Sequence, residues 1–235
     1  MSRAVLIGLG GIGSHLAEPL ARTLVFTEYP RAPDRLLLID GDRYEEKNIL
    51  RQRVLRHGNK AEETAEILSG LFPKLSVEAK PRYVDVENMY LFVREDDVVF
   101  LAVDNHATRK IVAEHVATLQ NILFISGGNE EYDGNTQVHL REGGRDRTPP
   151  LTWQHPEIQS PADKHPGERA CGELIAEGSA PQLLAVNFMI AALMLSAFTL
   201  WLQEKPLSYG GCYLNLLSGN VRPESLKYWN ARETA

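Results

Sequence analysis

One stretch near the N-terminus decides the fold: Val5-Leu6-Ile7-Gly8-Leu9-Gly10-Gly11-Ile12-Gly13-Ser14. Its apolar start, Val5–Ile7, predicts a short buried strand, and residues 15–24 have apolar positions at helical spacing. Glycines at positions 8, 10 and 13 permit a tight turn and let backbone N–H groups approach a phosphate, whose charge the following helix N-terminus favours. The stretch therefore predicts a strand, a phosphate-binding turn and a helix.

Further strands and helices alternate along the chain. The apolar run Arg35–Ile39 ends at Asp40, where a Rossmann-type acid accepts hydrogen bonds from ribose hydroxyls. Strands are predicted at 76–82, 97–103, 122–126 and 136–140, and helices at 60–71 and 107–119. This order predicts an α/β fold, a Rossmann-like, doubly wound, mainly parallel sheet with helices on both faces. These features alone fit NAD as well as ATP.

Polar residues after the glycine turn narrow the chemistry. Asp40 is followed by Asp42, Asn48, Arg51, Gln52 and Lys60, and Asp104-Asn105 comes later. The two cations and two amides fall where a triphosphate would lie, and a dinucleotide dehydrogenase does not need them. Asp104 follows a buried strand, and open α/β sheets bind ligands at the carboxyl ends of such strands.

Five separated motifs resemble the E1-like activating superfamily in order and in most spacings. This superfamily includes the ThiF-type sulfur-carrier and molybdopterin adenylyltransferases and the ubiquitin-activating enzymes. The motifs are Gly8–Ser14, Leu38–Asp42, Asn48–Gln52, Gly58–Ala61 and Ala102–Asn105 with Arg109. The resemblance runs from about residue 4 to about residue 140 and continues more faintly from Cys171 to Leu202. It is that of a short bacterial family member.

The resemblance implies ATP-dependent adenylation of a C-terminal carboxylate. The substrate would be a ubiquitin-like or sulfur-carrier protein with a C-terminal glycine tail. The expected organisation is a nucleotide-binding part at 1–142, a long crossover loop over the substrate tail at 143–170, and a C-terminal helix and strand at 171–235 that complete the same domain. Residues 143–167 are polar, contain five prolines and show no apolar periodicity, which predicts a long loop or mobile lid. His155 and His165 are interpreted as solvated loop residues.

Each candidate site residue has an expected role. Joining a carboxylate to the α-phosphorus of ATP brings two anions together, so the site must offset their repulsion, whereas the ionised nucleophile needs no general base. Arg51 and Lys60 would stabilise phosphoryl charge, and Asp104 would hold Mg²⁺. Arg109 would lock the Asp104 loop. The full nucleotide-binding set expected is Gly8, Gly10, Gly11, Gly13, Ser14, Asp40, Asp42, Asn48, Gln52, Asn105 and Arg109.

Two positions leave alternatives open. The segment from Arg51 to Lys60 is several residues shorter than is usual in the family, so Arg53 or Arg56 are alternatives to Lys60 at the phosphates. In the sulfur-carrier branch, a cysteine at the place of Cys171 accepts the activated carrier as an acyl conjugate. Cys171 is therefore either such a nucleophile or a buried bystander.

Composition limits the partners. The formal net charge of −6 argues against nucleic acid, and residues 1–15 lack a secretory signal, so a cytoplasmic protein is expected. Leu183–Leu202 carries no formal charge but lacks a basic flank, so it is interpreted as a core and homodimer helix and not as a membrane span. Two other functions stay open: an E1-like enzyme that activates a small molecule, peptide or tRNA, and an NAD-binding oxidoreductase or non-catalytic scaffold.

Overall fold

The computed structural model describes residues 2–52, 57–168, 182–227 and 229. Within these residues one sheet of nine strands forms the centre of the molecule. The strands are β1 (Arg3–Ile7), β2 (Arg35–Ile39), β3 (Ser76–Lys80), β4 (Val98–Leu101), β5 (Ile122–Asn129), β6 (Asp133–Glu142), β7 (Arg145–Asp146), β8 (Tyr209–Asn215) and β9 (Asn220–Ser225). The strand order is β3-β2-β1-β4-β5-β6-β8-β9, and β7 pairs with β6.

The sheet has a parallel half and an antiparallel half. Strands β3, β2, β1, β4 and β5 run parallel, so their carboxyl ends share one edge. Strands β6 to β9 are joined to this half and to each other by antiparallel pairs. The arrangement confirms the predicted Rossmann-like α/β fold and its parallel core, and the antiparallel half extends the sheet beyond that core.

Helices cover both faces of the sheet. They are α1 (Gly11–Phe26), α2 (Lys60–Leu71), α3 (Met89–Phe92), α4 (His106–Val116), α5 (Leu151–Gln154) and α6 (Leu184–Leu202). Successive strand residues point to opposite faces: Leu6 packs in the core formed with α1, α2 and α6, whereas Val5 and Ile7 pack in the core formed with α3, α4 and α5. Two cores on opposite faces explain why the central strands are apolar throughout.

The segment after β6 is more ordered than the sequence predicts. It contains β7, α5 and short 3₁₀ turns at Pro156–Gln159 and Pro166–Glu168. Leu151 and Ile158 are only 1% and 2% exposed, because both pack on the face covered by α4. The expectation of a loop with nothing to bury is therefore wrong for this part. Two isolated apolar residues are too few to form a periodic pattern that the sequence would reveal. The three-part division of the domain stays a prediction.

Helix α6 packs against α1, β5 and β6. It is long and apolar enough to cross a membrane by length and composition, the one such helix within the described ranges. Val186, Ile190, Met194 and Phe198 are fully buried in the larger core. This spacing of four residues is that of a helix packed along one side on a protein core.

Candidate nucleotide-binding site

The glycine turn lies at the carboxyl end of β1. Gly8 has a φ of +89°, and its N–H donates to the carbonyl of Ile39 at 2.9 Å. A Cβ on Gly13 would lie 1.9 Å from the Gly8 carbonyl oxygen, so only glycine fits there. Helix α1 begins at Gly11, earlier than the predicted His15, and its N-terminus therefore lies inside the turn. Free backbone donors at this position favour a phosphate.

Asp40 closes the turn from the end of β2. One carboxylate oxygen accepts from Leu9 N–H at 2.6 Å and the other from Asp42 N–H at 2.8 Å. Burial raises the pKa of Asp40 to about 6, although the charge of Lys60 opposes this shift. The carboxylate thus joins the first strand's turn to the second strand's end, and each oxygen keeps a lone pair for a ribose hydroxyl.

Lys60 lies buried beside these carboxylates in spite of the short preceding segment. Its ammonium donates to Asp42 Oδ2 at 2.9 Å, and the residue is only 5% exposed. Burial lowers the pKa of Lys60, but the charges of Asp40, Asp42 and Asp104 raise it further, so the net direction is upward. Lys60 is therefore a cation bonded to Asp42 and under the electrostatic influence of Asp40 and Asp104.

Asn59 positions Lys60, a role that the sequence analysis did not assign. Its Oδ1 accepts from the N–H groups of Ala61 and Glu62, which caps α2. Its Nδ2 donates to the carbonyls of Asp40 at 2.9 Å and Asp42 at 3.0 Å. An asparagine directly before a helix is a recognisable cap signal, but its second set of bonds depends on the tertiary fold.

The segment after Asp42 carries two amides, and the structure brings one of them near the glycine turn. Gln52 is buried, its Nε2 lies 4.0 Å from an ideal Cβ on Gly10, and its Oε1 has no hydrogen-bond partner among the described residues. Asn48 is buried as well, but its Oδ1 accepts from the N–H of Glu45. The structure therefore directs Gln52 to the glycine turn and shows Asn48 in a capping contact that orders the segment.

Arg51 is held by α6 and by Gln182, which lies just before that helix. Its guanidinium donates to Gln182 Oε1 at 3.1 Å, and its carbonyl accepts from Asn187 Nδ2 at 3.1 Å. Asn187 is fully buried, and a Cβ on Gly11 would lie 2.5 Å from its Nδ2. The polar residue that interrupts the apolar helix therefore links α6 to the glycine turn.

Asp104 lies just beyond β4, at the same edge of the sheet. It is exposed, whereas Asn105 is buried and caps α4 by accepting from Thr108 N–H at 2.8 Å. Arg109 donates to Ser126 Oγ and to the carbonyls of Val103 and Gly127 at 2.6 to 2.8 Å. Burial lowers the pKa of Arg109 to about 10, and Asp104 opposes this shift. Arg109 thus fixes the backbone directly before Asp104.

A large cavity adjoins Asp104 and extends over the antiparallel half of the sheet. Its volume is about 1310 Å³. Gln137 on β6, His155 and Glu157 after α5, and Tyr213 on β8 line it. Asp163 closes one side, where its carboxylate accepts from the N–H groups of His106 and Ala107 at the start of α4.

The two histidines of the segment are not solvated, contrary to the sequence expectation. His155 Nδ1 contacts Glu157 Oε1 at 2.8 Å, and its side chain is only 17% exposed. His165 is buried, and its Nε2 contacts the carbonyl of Val84 at 2.5 Å. His155 is held by a partner two residues away, Glu157, and His165 by the backbone of a residue distant in sequence, Val84. Within the described residues no group of three His, Cys, Asp or Glu side chains could hold a metal ion.

The structure describes only some of the remaining predicted positions. Cys171, Arg53 and Arg56 lie outside the described residues. Ser14 is buried in α1, where its Oγ donates to the carbonyl of Gly11 at 3.3 Å. Cys212 is a buried free thiol, and burial raises its pKa, as befits a packing residue.

Two known proteins are similar in sequence to part of this chain. The SAMP-activating enzyme E1 of Haloferax volcanii is 31% identical over 146 residues, which cover 60% of this chain and 51% of that protein. The adenylyltransferase and sulfurtransferase MOCS3 of Drosophila virilis is 30% identical over 142 residues, which cover 59% of this chain and 29% of that protein. The chain matches about half the length of the first relative and less than a third of the second.

Solved structures show the same architecture. The crystal structure of E. coli MccB with succinimide has a TM-score of 0.72 at 18% identity and covers 95% of this chain and 63% of that chain. The crystal structure of PaaA has a TM-score of 0.70 at 18% identity and covers 96% of this chain and 64% of that chain. The sequence model of the ThiF family matches residues 1–216, in agreement with the resemblance drawn from the five motifs. The chain therefore belongs to the ThiF family.

Proposed function

We propose that this chain uses ATP to adenylate the C-terminal carboxylate of a ubiquitin-like or sulfur-carrier protein. Family membership supports the proposal, as do the names of the SAMP-activating enzyme and of the adenylyltransferase MOCS3. The E1-like alternative, activation of a peptide, small molecule or tRNA, would use the same nucleotide site with a different occupant of the cavity. We also infer a cytoplasmic location from the sequence.

The position of Lys60 is the observation that carries the proposal. Its buried ammonium bonds to Asp42 and is under the electrostatic influence of Asp40 and Asp104. An ADP-ribose site needs the ribose acid at the end of the second strand but not a buried cation directed toward a third carboxylate. A triphosphate needs such a cation, because its charge must be offset while a second anion approaches.

The surrounding residues fit ATP as a substrate. Asp40 would bind ribose hydroxyls, and the N-terminal amides of α1 would bind phosphate oxygens. The unpaired Oε1 of Gln52, beside the glycine turn, would accept a hydrogen bond from the nucleotide or the attacking group. Arg51 and Lys60 would offset the charge that develops at the α-phosphorus.

Asp104 is the residue that fits a magnesium site. It is an exposed carboxylate at the carboxyl edge of the parallel strands, and Mg²⁺ is commonly bound by one or two carboxylates together with substrate phosphates. Bound there, Mg²⁺ would neutralise phosphate charge. Arg109 would keep Asp104 in position through its bonds to Val103 and Gly127.

Acyl transfer to Cys171 is proposed as an optional second step. The thiolate sulfur would attack the carbonyl carbon of the acyl adenylate, a C–S bond would form, and AMP would leave with the electron pair of the broken C–O bond. A carrier conjugate that reducing agent or thiolysis releases, and that is lost in Cys171→Ser, would support this step. A conjugate that persists in Cys171→Ser would contradict it.

Titration calorimetry tests the nucleotide site. Mg-ATP should bind the wild type. It should bind Asp104→Asn at least about 10-fold more weakly, because the variant lacks the carboxylate that would hold Mg²⁺. NAD should not bind, and the exposed Asp34→Asn should behave as wild type. Binding of NAD, or Mg-ATP binding that ignores Asp104, would contradict the proposal and favour the oxidoreductase or scaffold alternative.

A further inference from the structure

We propose that the cavity beside Asp104 selects a substrate tail that carries a basic side chain, lysine or arginine, upstream of its C-terminal carboxylate. The inference rests on the proposed function for the identity of the occupant as a peptide tail. It adds a chemical requirement to that tail. Three observations carry it: the size of the cavity, its charge, and an unpaired acceptor in its wall.

The cavity is too large for a glycine tail alone. Its volume of about 1310 Å³ exceeds the roughly 300–1,000 Å³ that are usual for small-molecule sites. It begins at Asp104 and follows the face of the sheet formed by β6, β8 and β9. A peptide that places its carboxylate near the nucleotide would therefore have room along this face for side chains of several residues.

The wall of the cavity is acidic. Among the described residues that line it, the arginines are Arg109 and Arg222, and Arg109 already donates to Ser126, Val103 and Gly127. The described part of the wall carries more carboxylates than arginines; they are Asp104, Glu130, Asp133, Glu157 and Asp163. A tail that brings only its own terminal carboxylate would be repelled along this path. A cationic side chain on the tail would offset that repulsion.

Gln137 marks where the basic group would bind. It is only 2% exposed, and it lines the cavity. Its Nε2 donates to Asn135 Oδ1 and to His155 Nε2, each at 2.8 Å, which fixes the amide. Its Oε1 is buried and has no hydrogen-bond partner among the described residues. A buried acceptor without a partner is costly, so a donor from a ligand would be strongly favoured there.

The strand register places a second buried acceptor two strands away from Gln137. Gln137 on β6 pairs with Gly211 on β8, and Gly211 pairs with Glu224 on β9. Burial raises the pKa of the Glu224 carboxyl, whose Oε2 also lacks a partner among the described residues, and the charge of His155 opposes that shift. His155 Nε2 accepts from Gln137, so its Nδ1 donates to Glu157 Oε1 at 2.8 Å. Gln137 and Glu157 thus offer an acceptor and a negative charge in the cavity wall, which suit an ammonium or guanidinium group.

Peptide binding followed by fluorescence anisotropy tests the inference without requiring adenylation. The probes are labelled octapeptides that end in Gly-Gly with a free carboxylate and carry one lysine, norleucine or glutamate at a position moved stepwise from the third to the sixth residue from the end. At one position lysine should bind at least about 10-fold more tightly than norleucine, with glutamate weakest. A lysine at the N-terminal end of the peptide should give no such gain.

Variants of the wall locate the effect. Glu157→Gln and Gln137→Leu should each reduce the preference for lysine over norleucine by at least about threefold, and circular dichroism should show that both variants are folded. The distant, exposed Glu87→Gln should keep the full preference. Equal binding of lysine and norleucine peptides at every position, or a preference unchanged in both wall variants, would overturn the inference.

Pyrophosphate exchange with the same peptides separates the two proposals. A lysine preference in binding without any ATP–pyrophosphate exchange would contradict adenylation and leave the basic-tail site standing. Exchange that is indifferent to lysine would do the reverse. Exchange that is fastest with the peptide that binds best would support both.

Discussion

Lys60 is placed so that its removal should damage catalysis more than folding. Replacing it with methionine keeps most of the buried volume but removes the charge beside Asp42. We expect ATP–pyrophosphate exchange with the carrier to fall at least about 100-fold, because one preorganised charge at the reacting phosphate is lost. The exposed Lys74→Met is the matched control. Full activity in Lys60→Met together with loss in Arg51→Ala would transfer the role to Arg51.

Asp40 should make the stability of the fold depend on pH. Its pKa is raised by burial from 3.8 to about 6, so between these values the folded state holds a proton that the unfolded state has lost. The contribution of Asp40 to the free energy of unfolding therefore falls as pH rises from about 4 to 6, by up to about 3 kcal/mol, and is constant above that range.

Urea unfolding at intervals from pH 4.5 to pH 7 measures this contribution. As pH rises, the free energy of unfolding of Asp40→Asn should increase relative to that of the wild type. The lost hydrogen bond to Leu9 or Asp42 should shift the Asp40→Asn values by a constant amount and leave this difference in slope unchanged. Asp34→Asn, which changes an exposed carboxyl, should follow the wild-type curve. Parallel curves for wild type and Asp40→Asn would mean that the Asp40 pKa is not raised.

At the scale of single elements, the turn between β1 and α1 depends on one close approach. The ideal Cβ on Gly13 would lie 1.9 Å from the Gly8 carbonyl, so Gly13→Ala must displace the turn. We expect loss of Mg-ATP binding and a melting temperature lowered by several degrees, since backbone atoms cannot yield as a side chain can. The calorimetric titration and a thermal melt measure the two effects.

Gly70→Ala is the matched control for this substitution. Gly70 lies in α2 with nothing within 4 Å of its ideal Cβ, so alanine should raise helix stability by up to about 1 kcal/mol and leave ATP binding unchanged. Normal ATP binding by Gly13→Ala would show that the turn can relax without loss of function, which the contact with Gly8 argues against.

Most features that lie within one element are predictable from sequence, whereas features that depend on other elements are not. The glycine turn, the strand ending at Asp40 and the cap at Asn105 are local patterns, and each is recognisable because its residues are adjacent. The start of α1 at Gly11 was missed, since apolar spacing does not report a helix turn made of glycines. Leu151 and Ile158 were missed because isolated apolar residues gain their burial from β5 and α4, which no local pattern encodes.

At the scale of the molecule, the parts that sequence could not supply are contacts between distant segments. Asn187 bonds to the carbonyl of Arg51, and Asp163 caps α4 beside Asp104. Gln137 and Glu224 are both register partners of Gly211 only because β6, β8 and β9 pair in one sheet. The residues predicted to serve the nucleotide are therefore recognisable from sequence order, whereas the proposed tail-binding wall depends on the folded sheet.

An apolar patch at the rim of the site leads to a prediction about assembly. Its residues are Ile49, Leu50, Leu184 and Phe188, which are 62%, 84%, 42% and 51% exposed. They are brought together because Phe188 stacks on His15 at 4.0 Å and His15 contacts the carbonyl of Arg51. Exposed apolar residues grouped in this way favour burial against another surface, and a second copy would bury both patches at once.

We therefore expect a symmetric homodimer with a mass near twice 26.3 kDa. Phe188→Glu should weaken it at least about 100-fold, because two charges would be buried near the two-fold axis without partners. Leu217→Glu changes a residue that is 75% exposed in the turn between β8 and β9 and should leave the mass unchanged. Sedimentation equilibrium at micromolar concentration measures both. A monomeric wild type would contradict the dimer. A dimer that survives Phe188→Glu would show that its interface does not include this apolar patch.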